Sequence, residues 1–170
     1  MIRRPPRSTQ GVSSAASDVY KRQSVIESGE DVCVLCEGDP FFYGSFMHIY
    51  ERLRFEAPIE VIPAITGMSA AWTATGLPIT WGDNILTILT GTLSKEALVD
   101  KISTTDAAVI MKVGQNLDKI RAAITLAERE SDAFIVEYAA MSNQSVCKLV
   151  EYTKAVAPYF SIIILHGEAK

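Results

Sequence analysis

The residues best suited to chemistry are Glu37-Gly38-Asp39-Pro40-Phe41-Phe42-Tyr43-Gly44. They follow an apolar run, Val32-Cys33-Val34-Leu35-Cys36, that reads as a buried strand, and they precede a segment with helical spacing. A strand that feeds a Gly/Asp/Pro turn and then a helix is where an open α/β sheet places a ligand. Gly38 has no Cβ and lets the backbone approach a ligand closely. Asp39 brings an acceptor and a negative charge to the strand's carboxyl end, which suits a ligand carrying amines and hydroxyls. A Gly-Asp-Pro triplet by itself also makes an ordinary turn. Lys112 ends the apolar run Ala108-Val109-Ile110-Met111 and reads equally as a ligand-facing cation and as a solvated strand end.

Other reactive side chains offer less. Cys33 and Cys36 have C-x-x-C spacing, which invites a metal or redox reading. On a strand, residues three apart point to opposite faces, so the two sulfurs diverge; both read as small buried side chains. With Cys147 they make no disulfide framework. His48 and His166 lie far apart without ligand spacing, and no metal is expected.

The elements that position these residues alternate along the chain. Strands are expected at 32–36 and 59–62, with a helix over 43–55 whose apolar face is Phe46, Met47, Tyr50 and Leu53. A small-residue helix follows at 66–75, stopped by Gly76-Leu77-Pro78. Gly82-Asp83-Asn84 are turn formers in a crossing at 80–84. Then come a strand at 85–89, a helix at 95–102, a strand at 107–111, a helix at 116–127, and strands at 133–137 and 161–165. The alternation predicts an α/β fold whose final strands run either parallel or antiparallel. The domains read as 24–80 and 81–170, preceded by a head at 1–23.

Composition bounds the function. An apolar fraction of 48 % over 170 residues is that of a globular chain with one good core. The head carries Arg3, Arg4, Arg7, Lys21 and Arg22 against Asp18, while the whole chain is −4, so the body is strongly acidic. That balance argues against a general nucleic-acid binder and against anionic membrane surfaces. No apolar run reaches the ~18 residues that span a bilayer, and Met1-Ile2-Arg3-Arg4 leads into no apolar stretch; cytoplasmic residence is the default expectation.

The longer string Gly38-Asp39-Pro40-Phe41-Phe42-Tyr43-Gly44-Ser45-Phe46-Met47, with Glu51-Arg52-Leu53, closely resembles the tetrapyrrole methylase family. Val61-Ile62-Pro63-Ala64-Ile65-Thr66-Gly67-Met68-Ser69-Ala70-Ala71 is similar to the family's segment after the next strand. Gly76-Leu77-Pro78-Ile79, Gly82-Asp83 and Gly91-Thr92-Leu93 follow in the family's order. Ala108-Val109-Ile110-Met111-Lys112-Val113-Gly114-Gln115-Asn116-Leu117 resembles a signature of the branch that methylates precorrin-2 at carbon 20. Val136-Glu137, Met141, Asn143-Gln144 and Pro158-Tyr159-Phe160-Ser161 complete the likeness, which runs from about Val32 to Leu165. The departures are Ala64 for glycine, Ala140 for threonine, Thr90 for proline and Tyr138 for arginine.

The resemblance implies two α/β domains with the cofactor cleft between them. It implies transfer of a methyl group from S-adenosyl-L-methionine to carbon 20 of precorrin-2, or of its cobalt form in the anaerobic version, by a homodimer. The implied cofactor contacts are Gly38, Asp39, Phe42, Thr66, Gly67, Met111, Lys112 and Ala139; no catalytic base is assigned. Lys112 would also suit a carboxylate arm of the substrate, whereas Arg52 and Arg54 read as a solvated helix face. Residues 1–23 do not resemble the family and look like translated sequencing-adapter read-through. The family's opening strand and Gly/Pro-rich loop have no counterpart before Val32. On that reading the chain is a carboxyl-terminal fragment of an enzyme, expected to have little turnover, and a non-catalytic folded remnant is the competing class.

Overall fold

The runs 107–111 (AAVIM) and 161–165 (SIIIL) are apolar at nearly every position, so each needs cover on both faces. In the computed structural model, which describes residues 25–168, both are central strands of one five-stranded sheet. The described residues divide into two units, the first ending at Ile65 and the second starting at Thr66.

In the first unit, helix α1 (Phe46–Leu53) presents the expected face: Leu53 is buried, and Phe46, Met47 and Tyr50 are half-buried. Phe41 packs edge-on to Tyr50, with ring centroids 4.7 Å apart. Arg54 pairs with Glu51 at 3.4 Å on the exposed side. The strands expected at 32–36 and 59–62 are absent, and Cys33 and Cys36 are exposed rather than buried. Leu35 is 92 % exposed and Ile62 74 %. The reason is pairing: a strand exists only when a neighbour takes up its N–H and C=O groups, and no described residue of this unit is in a strand. Apolar alternation alone does not supply the neighbour.

The second unit opens with helix α2 (Gly67–Ala74), capped by Thr66, whose hydroxyl accepts from the Ser69 amide at 3.4 Å and meets the Ser69 hydroxyl at 3.0 Å. This helix lies in the second unit, with Ala71 wholly buried among Val109, Val136 and Ile164 of the sheet. The strands are β1 (Leu86–Thr90), β2 (Ala107–Met111), β3 (Ala133–Glu137), β4 (Ser145–Lys148) and β5 (Ser161–Leu165), in the order β1-β2-β5-β3-β4. β1 and β2 are parallel, Leu86 opposite Ala107 and Thr90 opposite Met111. β5 enters between β2 and β3, antiparallel to both, with Leu165 opposite Ala108 on one side and Ala133 on the other. β4, which hydrophobic alternation did not reveal, adds antiparallel to β3.

Helices α3 (Lys95–Ser103) and α4 (Leu117–Leu126) cover one face. Leu98, Ile102, Leu117, Ile120, Ala123 and Ile124 meet Ala108, Ile110, Ile135, Ile163 and Leu165 there. α2 lies on the other face, with Met68 and Trp72 packed against the sheet.

A polar staple closes the edge where β2 and β3 begin and β5 ends. Arg129 donates to the carbonyls of Thr105 (2.9 Å), Asp106 (2.8 Å) and His166 (3.3 Å) and pairs with Asp132. His166 Nδ1 lies 2.9 Å from the Pro78 carbonyl and Nε2 lies 3.0 Å from the Thr75 hydroxyl, joining the end of α2 to the end of β5. Phe134 packs edge-on to the imidazole. Burial lowers the His166 pKa below 6.5; Lys148 adds to this, while the Pro78 carbonyl and Asp132 oppose it. The unfolded chain therefore takes up this proton at a higher pH than the folded one. The stability tied to neutral His166 is fully present above about pH 6.5 and is lost as pH falls toward the lower folded value. Thermal melts between pH 7.5 and pH 5 should show a steeper loss for the wild-type chain than for His166→Gln. Equal slopes would place the titration elsewhere.

Candidate cofactor site

Strand direction gathers the candidates of the second unit. β2 and β3 are both antiparallel to β5, so they share one direction with β1, and all three end at one edge. Thr90, Met111 and Glu137 stand at that edge, and β4 and β5 begin there with Ser145 and Ser161, both paired with Glu137. Loops following such strand ends are the usual ligand sites of α/β sheets.

The backbone at this edge is held in conformations that non-glycine residues rarely take. Lys112 has φ 55°, Tyr138 φ 52° and Ala140 φ 61°. Such strain persists where the surroundings over-determine it, and it clusters at ligand sites. After β2, the Lys112 carbonyl accepts from the Asn116 side chain at 3.0 Å, and the Asn116 amide donates to the Val113 carbonyl at 2.6 Å. Gly91 permits the approach from β1: its amide donates to the Met111 carbonyl at 2.7 Å. A Cβ there would stand 2.8 Å from the Lys112 carbonyl oxygen and 2.7 Å from Ile120 Cδ1.

Five of the eight sequence-selected residues come together here. Met111 and Ala139 are half-buried against Val109, Val136 and Ile164, on the face that carries α2. Gly67, at the start of α2, lies over Ile162, since its Cβ position is 3.9 Å from Ile162 Cδ1. Thr66 precedes it as the helix cap, and the exposed Lys112 follows Met111.

Gly38, Asp39 and Phe42 lie in the first unit, in a turn of their own. Gly38 has φ 88°, a conformation open to glycine. Asp39 Oδ1 accepts from the Phe41 amide at 2.9 Å, and Oδ2 accepts from the Ala64 amide at 3.1 Å. The carboxylate thus ties the turn to the segment before Thr66. Each oxygen keeps acceptor capacity beyond its backbone bond. Phe42 is half-buried beside Tyr43, with ring centroids 5.0 Å apart.

The most elaborate cluster at the edge was not selected from sequence. Glu137 is 4 % exposed; the Tyr152 hydroxyl donates to its Oε1, and Lys154 Nζ lies 2.9 and 2.8 Å from its two oxygens. Burial, with the adjacent carboxylate, holds the Tyr152 phenol well above its usual pKa, so it remains a proton donor. The signal was present: Ala133, Ile135 and Glu137 alternate onto one face, so a carboxylate ends the buried side of the strand. Among the described residues, no group of three or more His, Cys, Asp or Glu is placed to hold a metal ion. Burial raises the Cys147 thiol pKa, which leaves it a protonated packing residue.

Residues 3–153 match the model of the Tetrapyrrole (Corrin/Porphyrin) Methylases. The chain belongs to that family. The match includes most of residues 1–23, the head set apart from sequence, which lies outside the described residues. The chain is 46 % identical over 142 residues to a Sinorhizobium protein named precorrin-2 C(20)-methyltransferase, covering 84 % of this chain and 58 % of that one. It is 34 % identical over 162 residues to the cobalamin biosynthesis protein CobIJ of Mycobacterium bovis, covering 92 % of this chain and 32 % of that one. The chain therefore spans less than two thirds of either relative. Among solved structures, a cobalt precorrin-4 methyltransferase superposes with a TM-score of 0.77 at 18 % identity, covering 89 % of this chain and 70 % of that one. The uroporphyrin-III C-methyl transferase of Thermus thermophilus, complexed with S-adenyl homocysteine, superposes with a TM-score of 0.63 at 20 % identity, covering 88 % and 73 %. These likenesses carry the fold.

Two substitutions test the geometry. Gly91→Ala should cost about 1–3 kcal/mol, the usual penalty of overpacking, read from denaturant midpoints at unchanged slope; a neutral result would show that the β1 end yields freely. Asp39→Ala should weaken binding of S-adenosylhomocysteine by roughly 10- to 150-fold, the worth of a charge-assisted hydrogen bond. Calorimetry on the folded variant reads it, and unchanged affinity would confine Asp39 to its two backbone bonds.

Proposed function

We propose that the protein transfers a methyl group from S-adenosyl-L-methionine to carbon 20 of precorrin-2, giving precorrin-3A in cobalamin biosynthesis. The observation that carries this reading is the 46 % identity to the Sinorhizobium enzyme over most of the chain. The cobalt-bound substrate is the alternative. The Salmonella typhimurium protein named cobalt-precorrin-2 C(20)-methyltransferase is only 20 % identical, so the metal-free substrate is preferred.

The residues present fit the cofactor. Asp39 has acceptor capacity for ribose hydroxyls or an ammonium group. Met111 and Ala139 offer an apolar wall. The capped start of α2, with the Thr66 hydroxyl and the exposed Gly67, offers a polar group beside backbone that a ligand can approach. The cofactor supplies a methyl carbon already activated by the positive sulfur. The protein's task is then alignment: holding donor and acceptor so that the acceptor carbon, methyl carbon and sulfur lie in line. Lys112 suits a carboxylate arm of the macrocycle as a flexible, solvated cation. A proton must leave carbon 20 after transfer, and no side chain is assigned to take it. A cytoplasmic homodimer completes the reading; no helix among the described residues is long and apolar enough to cross a membrane.

The test is direct. Purified chain is incubated with precorrin-2 and methyl-labelled S-adenosylmethionine, with cobalt-precorrin-2 in a parallel arm. A low level of label in a trimethylated product of the metal-free arm is the expected result, in keeping with the little turnover expected of this chain. Label confined to the cobalt arm would reassign the substrate, and label in neither would refute the activity for this chain.

A further inference from the structure

We propose that Glu137 is a positioning residue for the cofactor turn: its buried carboxylate, clamped by Tyr152 and Lys154, holds the end of β3 so that residues 138–140 present the Ala139 backbone to S-adenosylmethionine. The inference rests on the methyltransferase reading above.

Among the described residues Glu137 is the one buried carboxylate. It enters the layer of Ala133 and Ile135, which belong to the main core. An ionised carboxylate survives there only when its lone pairs are taken up by charge and donors. Both donors come from the far side of the loop it precedes. Tyr152 and Lys154 follow β4 and the turn Leu149–Glu151, so the clamp brackets residues 138–148 from both ends.

The bracketed loop is built to one shape. The Tyr138 amide donates to the Phe160 carbonyl at 2.8 Å, the Met141 amide to the Tyr138 carbonyl at 2.9 Å, and the Gln144 amide to the Met141 carbonyl at 3.0 Å. The Gln144 side chain closes the ring by accepting from the Ala140 amide at 2.7 Å. Inside it, Tyr138 and Ala140 are both left-handed. Neither is a glycine or asparagine, so local preference does not explain the conformation, and tertiary restraint must. The residue between them is Ala139, which packs against the same buried cluster, Ala71, Val109, Val136 and Ile164, as Met68 and Met111 do. The clamp, the strain and the candidate contact thus fall on consecutive residues.

The experiment uses the full chain with Glu137→Ala, Glu137→Gln and Lys154→Met. Affinity for S-adenosylhomocysteine is measured by calorimetry below the melting range, and amide exchange of Met141 and Gln144 is compared with that of β2. Glu137→Ala should weaken binding by about ten-fold or more, in line with loss of charge-assisted hydrogen bonds, and should speed exchange in the loop while β2 keeps its protection. Glu137→Gln keeps an acceptor for the Tyr152 phenol and should restore most of the affinity. If Glu137→Ala does not fold, Lys154→Met, which removes the more exposed arm, should show the same loop-specific change with a smaller loss. Wild-type affinity or unchanged loop exchange in the folded variants overturns the proposal and leaves the methyltransferase reading intact. A wild-type chain that binds no S-adenosylhomocysteine overturns both.

Discussion

The second unit depends on one pairing, the antiparallel insertion of β5 between β2 and β3. β5 forces both neighbours to run opposite to itself and therefore alike, which brings Met111 and Glu137 to the same edge as Thr90. Its isoleucines serve both faces: Ile163 joins the layer under α3 and α4, and Ile164 the layer under α2. Without it β1–β2 and β3–β4 would be two separate ribbons, each marginal alone. Candidate cofactor residues from α2, β2 and β3 would then have no common edge.

Strain and cover are arranged unequally around that sheet. One edge carries the Arg129 staple and the buried His166, whose partners are mostly backbone carbonyls. The other carries three left-handed non-glycine residues and a clamped carboxylate. The first arrangement spends side-chain donors on closing the fold; the second spends them on shaping loops. That division is the expected one when a rigid scaffold carries ligand loops at one end.

Much of the second unit was legible in the sequence. Strands 107–111, 133–137 and 161–165 were read at their observed bounds, because long β-branched runs and helix-capping serines or threonines agree locally with the fold. Ser94 caps α3 by accepting from the Ala97 amide, as Thr66 caps α2. β4 was missed because Ser145-Val146-Cys147-Lys148 has weak strand character and is recruited by β3. In the first unit the failure ran the other way. Residues 32–36 have strand composition, yet composition cannot supply a neighbour, so Leu35 stays in solvent. At the candidate site, glycine, aspartate and cap residues announce themselves by type. Glu137 is marked only by strand alternation, and its partners, 15 and 17 residues away, are named by no local pattern.

The place of β5 in the chain has a consequence for biosynthesis. A ribosome releases β1 to β4 before the strand that unites them, so the two ribbons wait with apolar flanks uncovered. The sheet cannot close by stepwise addition as the chain emerges; it closes in one late, long-range event, the kind of pairing that folds slowly and leaves intermediates exposed. Translation speed and chaperone supply while β5 is being made should therefore govern how much of this sheet reaches its native form.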